Sequence, residues 1–385
     1  MSVFVKSFLR EVSFLKHSRW DRVGVLWLPL GMMIVVCAQF GAGALRHLPV
    51  TVIDQDMSTV SRQLSAALDA APAITVTSIQ ADFEFAKREV LSKRAYAMVL
   101  IPEEASERMT RGESANIILY YNSSFFSIGN TISREFDRVI RNFNAELASR
   151  QAALPGETAG VRPVPLRVTV RTLFNPYTSY ELYILSFALP GLLHFIFMVS
   201  VTSALGRELR DGTIKEWLGS SSAPFWAIVG KIAPYLVIFM LWASVATYYL
   251  SHVRGFPIQG SYIYILSAYA LMFMAYAGMA LFFVGISKSM GRALSFTAIY
   301  AGMSIAFADT VFPIESASTF GQVWATILPF TWFLRAFFEQ WVMGSSLLVS
   351  LPLLAILILF LTPGLLFGIK PYIKSAAQPE TWGKE

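Results

Sequence analysis

GRELRDGTIKEWL, residues Gly206–Leu218, places six charged side chains in thirteen positions, between the charge-free stretches Leu182–Gly206 and Ile232–Ser251. A hydrocarbon core about 30 Å thick takes about 20 apolar residues per helix, and an ion at the helix centre costs about 3 kcal/mol on insertion scales. Each flanking stretch therefore has the length of a membrane span, and the charged turn between them faces one aqueous side. Further charge-free runs lie at Val23–Leu45, Gly255–Ser287, Ala293–Ala308 and Gln340–Ile369. Composition agrees: 55% of the 385 residues are hydrophobic and 15% charged, more apolar surface than a soluble globule of this length needs. The expected fold is an α-helical polytopic membrane protein with six transmembrane helices. The run at Ala293–Ala308 is the shortest. Gly321–Gly344 contains Arg335, Glu339 and Pro329 and reads as short interfacial or re-entrant helices.

The net charge of +6 reports orientation. Between Arg46 and Asn175 there are 15 Lys/Arg and 14 Asp/Glu, nearly neutral, which leaves 16 basic residues elsewhere. Of these, 14 fall in the N-terminal segment, in Gly206–Lys231, in Lys288–Arg292 and from Lys370 onward. With those regions inside, only Arg254 and Arg335 remain outside, and the positive-inside rule puts both termini in the cytoplasm. No concentrated basic face with interleaved aromatics is present, so nucleic acid is not an expected partner.

Residues 1–22 read as an amphipathic interfacial helix, with Phe4, Val5, Phe8, Leu9, Val12 and Leu15 on one stripe and Lys6, Arg10 and Lys16 off it or at its edge. A cleaved signal peptide is the competing reading, given the small residues Gly41–Ala44, but the basic and apolar segments both exceed the usual lengths. The first span follows at 23–45. Residues 46–175 then take on the composition of a soluble domain. Leu48–Asp54, Ile74–Ile79, Tyr96–Ile101 and Ala115–Tyr121 have strand character, and Ser58–Ala70, Asp82–Ser92 and Glu103–Arg111 helical character. Ile128, Ile132, Phe136, Val139, Phe143 and Leu147 trace one face of a longer helix, and Leu166–Val170 alternates as a strand. The sequence thus predicts an inserted extracytoplasmic α/β domain. Spans two to six occupy 176–370, with a coupling helix at 206–218, an outer helical segment at 316–344 bearing Trp324, Trp332 and Trp341, and a cytoplasmic tail at 371–385.

No GxxxxGK[ST], HExxH, GxSxG or CxxC sequence occurs, so no ATPase or hydrolase chemistry and no catalytic residue is assigned to this chain. His17, His47, His194 and His252 are scattered without metal-ligand spacing, and the single Cys37 excludes an intrachain disulfide. No metal or cofactor bound by the chain itself is expected.

Phe174-Asn175-Pro176 precedes a span containing Pro190-Gly191; that span ends in Glu208-Leu209-Arg210-Asp211-Gly212-Thr213, followed by Glu216-Trp217-Leu218 and Gly230-Lys231. This pattern resembles the permease subunits of type-2 ATP-binding-cassette exporters, in the subgroup with a large extracytoplasmic domain between the first and second spans. Leu209 and Asp211 vary the Arg-Glu-Arg-Glu-like run of that family. The resemblance implies an exporter of amphipathic, drug-like or lipid-like compounds in a bacterial inner membrane. ATP and Mg would sit on a separate nucleotide-binding ATPase, and a second permease copy or paralogue would complete the path. A periplasmic adaptor and outer-membrane channel are the further implied partners, with membrane lipids around the helices.

It also implies that Glu208, Arg210, Asp211, Gly212, Thr213, Lys215 and Glu216 couple to the ATPase: the charges as ion-pair partners, Gly212 as a bend and Thr213 as a helix cap. Pro190, Gly191 and His194 fall on the implied translocation path. Two rivals remain open at this level. One is a membrane-anchored sensor or assembly protein with a ligand-binding outer domain; the other is a lipid-directed enzyme, for which Asp309 and Glu315 are the only nearby acids.

Overall fold

The computed structural model describes residues 2–40, 45–110, 113, 115–121, 126–152, 179–219, 221–308 and 314–383. The chain divides into two compact units, Met1–Gly43 with Thr172–Glu385, and Ala44–Arg171. The first unit opens with α1 (Val3–His17), capped by Ser2, and continues after Ser18 into α2 (Arg19–Phe40). α2 begins four residues before the expected span, because the Ser18 hydroxyl caps it and Arg19–Arg22 already coil.

The second unit carries a four-stranded sheet in the order β2-β1-β3-β4, with β1 (Leu48–Asp54), α3 (Thr59–Asp69), β2 (Ile74–Gln80), α4 (Phe83–Leu91), β3 (Ala97–Ile101), α5 (Ala105–Thr110) and β4 (Ile118–Tyr121). β1 pairs in parallel with β2 and β3, and β4 closes antiparallel on β3. A central parallel strand is buried on both faces. Accordingly Val50 and Val52 pack with Leu64, Leu68 and Phe136, while Ile53 faces Ala86 and Met98 on the other side. The long helix α6 (Phe126–Ala152) buries Ile132, Phe136, Val139 and Phe143, the face its periodicity marks. The strand expected at Leu166–Val170 and the Phe174-Asn175-Pro176 motif lie outside the described residues.

The first unit resumes with α7 (Tyr180–Arg210), α8 (Pro224–Val253), α9 (Tyr262–Ser287), α10 (Met290–Ala306), α11 (Thr319–Ile327), α12 (Pro329–Phe338) and α13 (Leu347–Ser375). Among the described residues five helices, α2, α7, α8, α9 and α13, are long and apolar enough to cross a membrane. The stretch expected as the fifth span forms the helix α10, which at 17 residues measures about 26 Å, short of the hydrocarbon core. α13 begins later than the expected Gln340, because Gly344 adopts a left-handed conformation (φ 62°) that ends the preceding turn. It also runs on to Ser375, so residues 371–375 are helix and not tail. α9 and α13 meet through glycines: a Cβ at Gly285, Gly364 or Gly368 would run into the facing backbone.

Candidate functional site

The predicted coupling helix at 206–218 is three pieces. Residues 206–210 are the last turn of α7; Gly212, at φ 70°, turns the chain; Lys215–Gly219 forms one wide helical turn before α8. Ile214 and Leu218 are buried and pin this turn from beneath, whereas Arg210, Asp211, Lys215 and Glu216 are exposed. Arg210 pairs with its neighbour Asp211 at 2.8 Å.

Glu208 departs from expectation. It is 3% exposed and points into the protein, so it is no surface partner for another chain. Its carboxylate accepts two hydrogen bonds from the Arg10 guanidinium (2.9 and 3.0 Å), one from Lys231 Nζ (2.8 Å) and one from the Thr213 hydroxyl (2.6 Å). Thr213 thus spends its hydroxyl on Glu208 rather than on a helix cap.

Lys231 also pairs with Glu11 of α1. Glu11 Oε1 accepts from Arg207 (2.7 Å) and from the Tyr235 hydroxyl (2.7 Å), and Arg207 reaches Asp21 at 3.2 Å. The acids Glu11, Asp21 and Glu208 therefore meet the bases Arg10, Arg207 and Lys231, three against three, and the network is neutral. Neutrality and full hydrogen bonding are what make buried ions tolerable; removal of one partner from such a set typically costs about 3–5 kcal/mol.

The network fastens α1 to the end of α7 and the start of α8. Gly230 permits the closest crossing, since a Cβ there would run into the Phe4 carbonyl. Ser7 donates to the Ala227 carbonyl (2.7 Å) and accepts from Trp217 Nε1 (2.8 Å), which carries the connection to the exposed turn. The face of α1 turned to the protein is therefore Ser7, Glu11 and, from the edge of the apolar stripe, Leu15, while Val5 and Leu9 remain exposed. The C-terminal residues close the rim: Tyr372 donates to the Leu205 carbonyl (2.8 Å), and the Gly383 amide to that of Leu209 (3.2 Å).

Pro190, Gly191 and His194 lie mid-way along α7, all buried among the chain's own helices. A Cβ on Gly191 would touch Ile305 and Phe330. The His194 ring stacks on Phe330 (4.5 Å between centroids) and lies 4.6 Å from Tyr276, with its nitrogens each 3.2 Å from the Pro190 and Ala301 carbonyl oxygens. Within one chain these residues fix how α7 packs on α10 and α12; they do not line an open path. Asp309 lies outside the described residues. Among the described residues no group of three or more His, Cys, Asp or Glu is arranged to hold a metal.

At the other end of the α7/α8 pair, Arg254 clasps Glu181 through two 2.6 Å hydrogen bonds. Glu181 is 1% exposed and Arg254 30%.

Residues 20–369 match the profile described as ABC-2 family transporter protein. The chain belongs to that family. It is also similar to the probable multidrug ABC transporter permease YbhR of Escherichia coli strain K12, and to the same protein of strain O157:H7. Each is 18% identical over 292 residues, which cover 76% of this chain and 77% of the relative. Family, spans and charged junction together describe a transport permease with membrane-spanning helices, the membrane component of an ABC transporter.

Sequence reasoning identified the exposed turn and its neighbours but missed Glu11, Asp21, Arg207 and Tyr235. Two signals were available. Glu11 borders the apolar stripe, one turn from Leu15, and Lys231 lies one residue from a charge-free span, where an ion needs a partner.

Proposed function

We propose that the permease is the transmembrane subunit of an ATP-driven exporter whose separate cytoplasmic ATPase docks on the exposed turn Arg210–Gly219. One observation carries this reading: the turn is charged on its outer side and mounted on a neutral buried network joining α1, α7 and α8. A motor must push on something that does not yield, and a turn pinned by Ile214, Leu218 and Trp217 meets that need. Lys215 and Glu216 make the contact with the ATPase, with Arg210 and Asp211 beside them. Glu208 holds the mount rather than the partner.

In this reading α10 crosses as a sixth span, with α11 and α12 on the outer side, and both termini lie in the cytoplasm of a bacterial inner membrane. The sheet-bearing unit then lies outside, where it meets cargo or a periplasmic adaptor. Two permease copies, or this chain and a paralogue, enclose a path for an amphipathic compound. The family match and the multidrug permease relatives support export, and the apolar spans suit such cargo.

The test is purification of the tagged full chain from its native host in mild detergent. A nucleotide-hydrolysing subunit should accompany the wild type and be lost from a Lys215→Glu, Glu216→Lys variant that remains folded. A pure chain without ATPase in the wild type would favour the sensor or assembly reading instead.

A further inference from the structure

Outside the charged network, α1, the start of α2 and the middle of α8 enclose a groove of about 310 Å³. Phe8, Val12, Leu26, Pro234, Val237 and Ile238 supply its walls, and apart from Lys16 and Arg22 every residue lining it is apolar. Both cations are exposed, and among the described residues neither has a hydrogen-bonding or ion-pair partner. The acids closest in sequence are already engaged: Glu11 by Arg207 and Lys231, Asp21 by Arg207. Because the buried network is neutral, the charge left on this surface is positive.

The same helix gives the depth. Trp20 is 86% exposed and Trp27 65%, the placement of aromatic side chains at a membrane–water boundary. An apolar groove at that level, with two unpaired cations at its rim, matches a molecule with a hydrocarbon chain and an anionic head. A soluble anion would leave the apolar walls wet. A zwitterionic lipid would bring its own cation toward Lys16 and Arg22.

We propose that this groove binds one acidic glycerophospholipid of the surrounding leaflet, its acyl chain against Val12, Leu26 and Val237 and its phosphate on Lys16 and Arg22. The lipid bridges α1 and α8 alongside the Ser7 and Glu11 contacts, and so braces the docking mount from the membrane side. The inference rests on the reading of this end of the bundle as cytoplasmic, but not on the ATPase.

The test uses the purified full chain in mixed micelles, with phosphatidylglycerol or phosphatidylcholine added at equal mole fraction. Phosphatidylglycerol is expected to raise the unfolding midpoint by about 2–4 °C more than phosphatidylcholine, the scale of a modest ligand on a protein of this size. Native mass spectrometry should show one phosphatidylglycerol retained. Lys16→Gln with Arg22→Gln should abolish the difference between lipids without changing the lipid-free midpoint, and Val237→Trp, which fills the groove, should lower retention about tenfold. Equal shifts from both lipids, or a phosphatidylglycerol effect that survives both variants, would overturn the site. Orientation is read separately, by labelling Lys6→Cys in a Cys37→Ala background with an impermeant reagent in intact cells. Labelling from outside would overturn the topology, and with it the assignment to the cytoplasmic leaflet. Absence of an ATPase partner would leave the lipid readout unchanged.

Discussion

The α7/α8 pair is fastened differently at its two ends, about 40 Å apart by helix rise. At one end six ionised groups from α1, α2, α7 and α8 interlock beneath an exposed charged turn; at the other, among the described residues, the ion pair is that of Glu181 with Arg254. Between them the polar contacts are neutral, such as the Thr202–Thr297 and Tyr276–Ser304 hydroxyl pairs. A multiply tied end moves as one body when pushed. An end held by a single clasp separates more easily. Ion pairs are thus concentrated where the proposed motor acts, and the membrane interior is left to packing and neutral hydrogen bonds.

The largest expected effect comes from reversing the central acid. Glu208→Lys changes three acids and three bases into two and four, leaving +2 in a buried site, and should cost more than about 5 kcal/mol. Size-exclusion of detergent extracts should show loss of the monodisperse peak, so this variant reports folding and not docking. Lys231→Met should cost about 3–5 kcal/mol in a denaturation experiment, because Glu11 and Glu208 both lose a partner. Adding Glu11→Leu restores a neutral set, so the double variant should be milder than the sum of its singles by about 1–3 kcal/mol.

At the single clasp, Arg254→Gln should cost about 1–3 kcal/mol, less than at the network, because water reaches the partly exposed guanidinium site. If Arg254→Gln proves as damaging as Lys231→Met, the contrast between the ends fails. The smallest stability effect, within about 0.5 kcal/mol, belongs to the Lys215→Glu, Glu216→Lys exchange on the exposed turn. Its expected consequence is loss of ATPase recovery at unchanged melting temperature.

Much of this organisation was legible in the sequence because it depends on local periodicity. The charge-free runs marked the long helices, β1 was found at the expected Leu48–Asp54, and the apolar face of α6 was visible at Ile132, Phe136, Val139 and Phe143. The mount was not legible. Glu208 and Arg10 are 198 positions apart, and a charged residue in a turn reads as solvated until its distant partner is known. The inward face of α1 was not legible for a related reason: Ser7 and Glu11, which meet the polar ends of α7 and α8, lie beside a stripe that read as facing the membrane surface. The inward placement of Pro190, Gly191 and His194 likewise depends on α10 and α12, more than a hundred residues further along the chain.

The most direct test of the docking claim is cross-linking from the turn itself. In a Cys37→Ala background, Lys215→Cys and, as a control on the other basic turn of the same side, Arg292→Cys would each be treated with a short thiol-directed cross-linker in native membranes. The account predicts an adduct between position 215 and a nucleotide-binding subunit, strongly reduced from position 292. No adduct from 215, or equal yields from both positions, would contradict it.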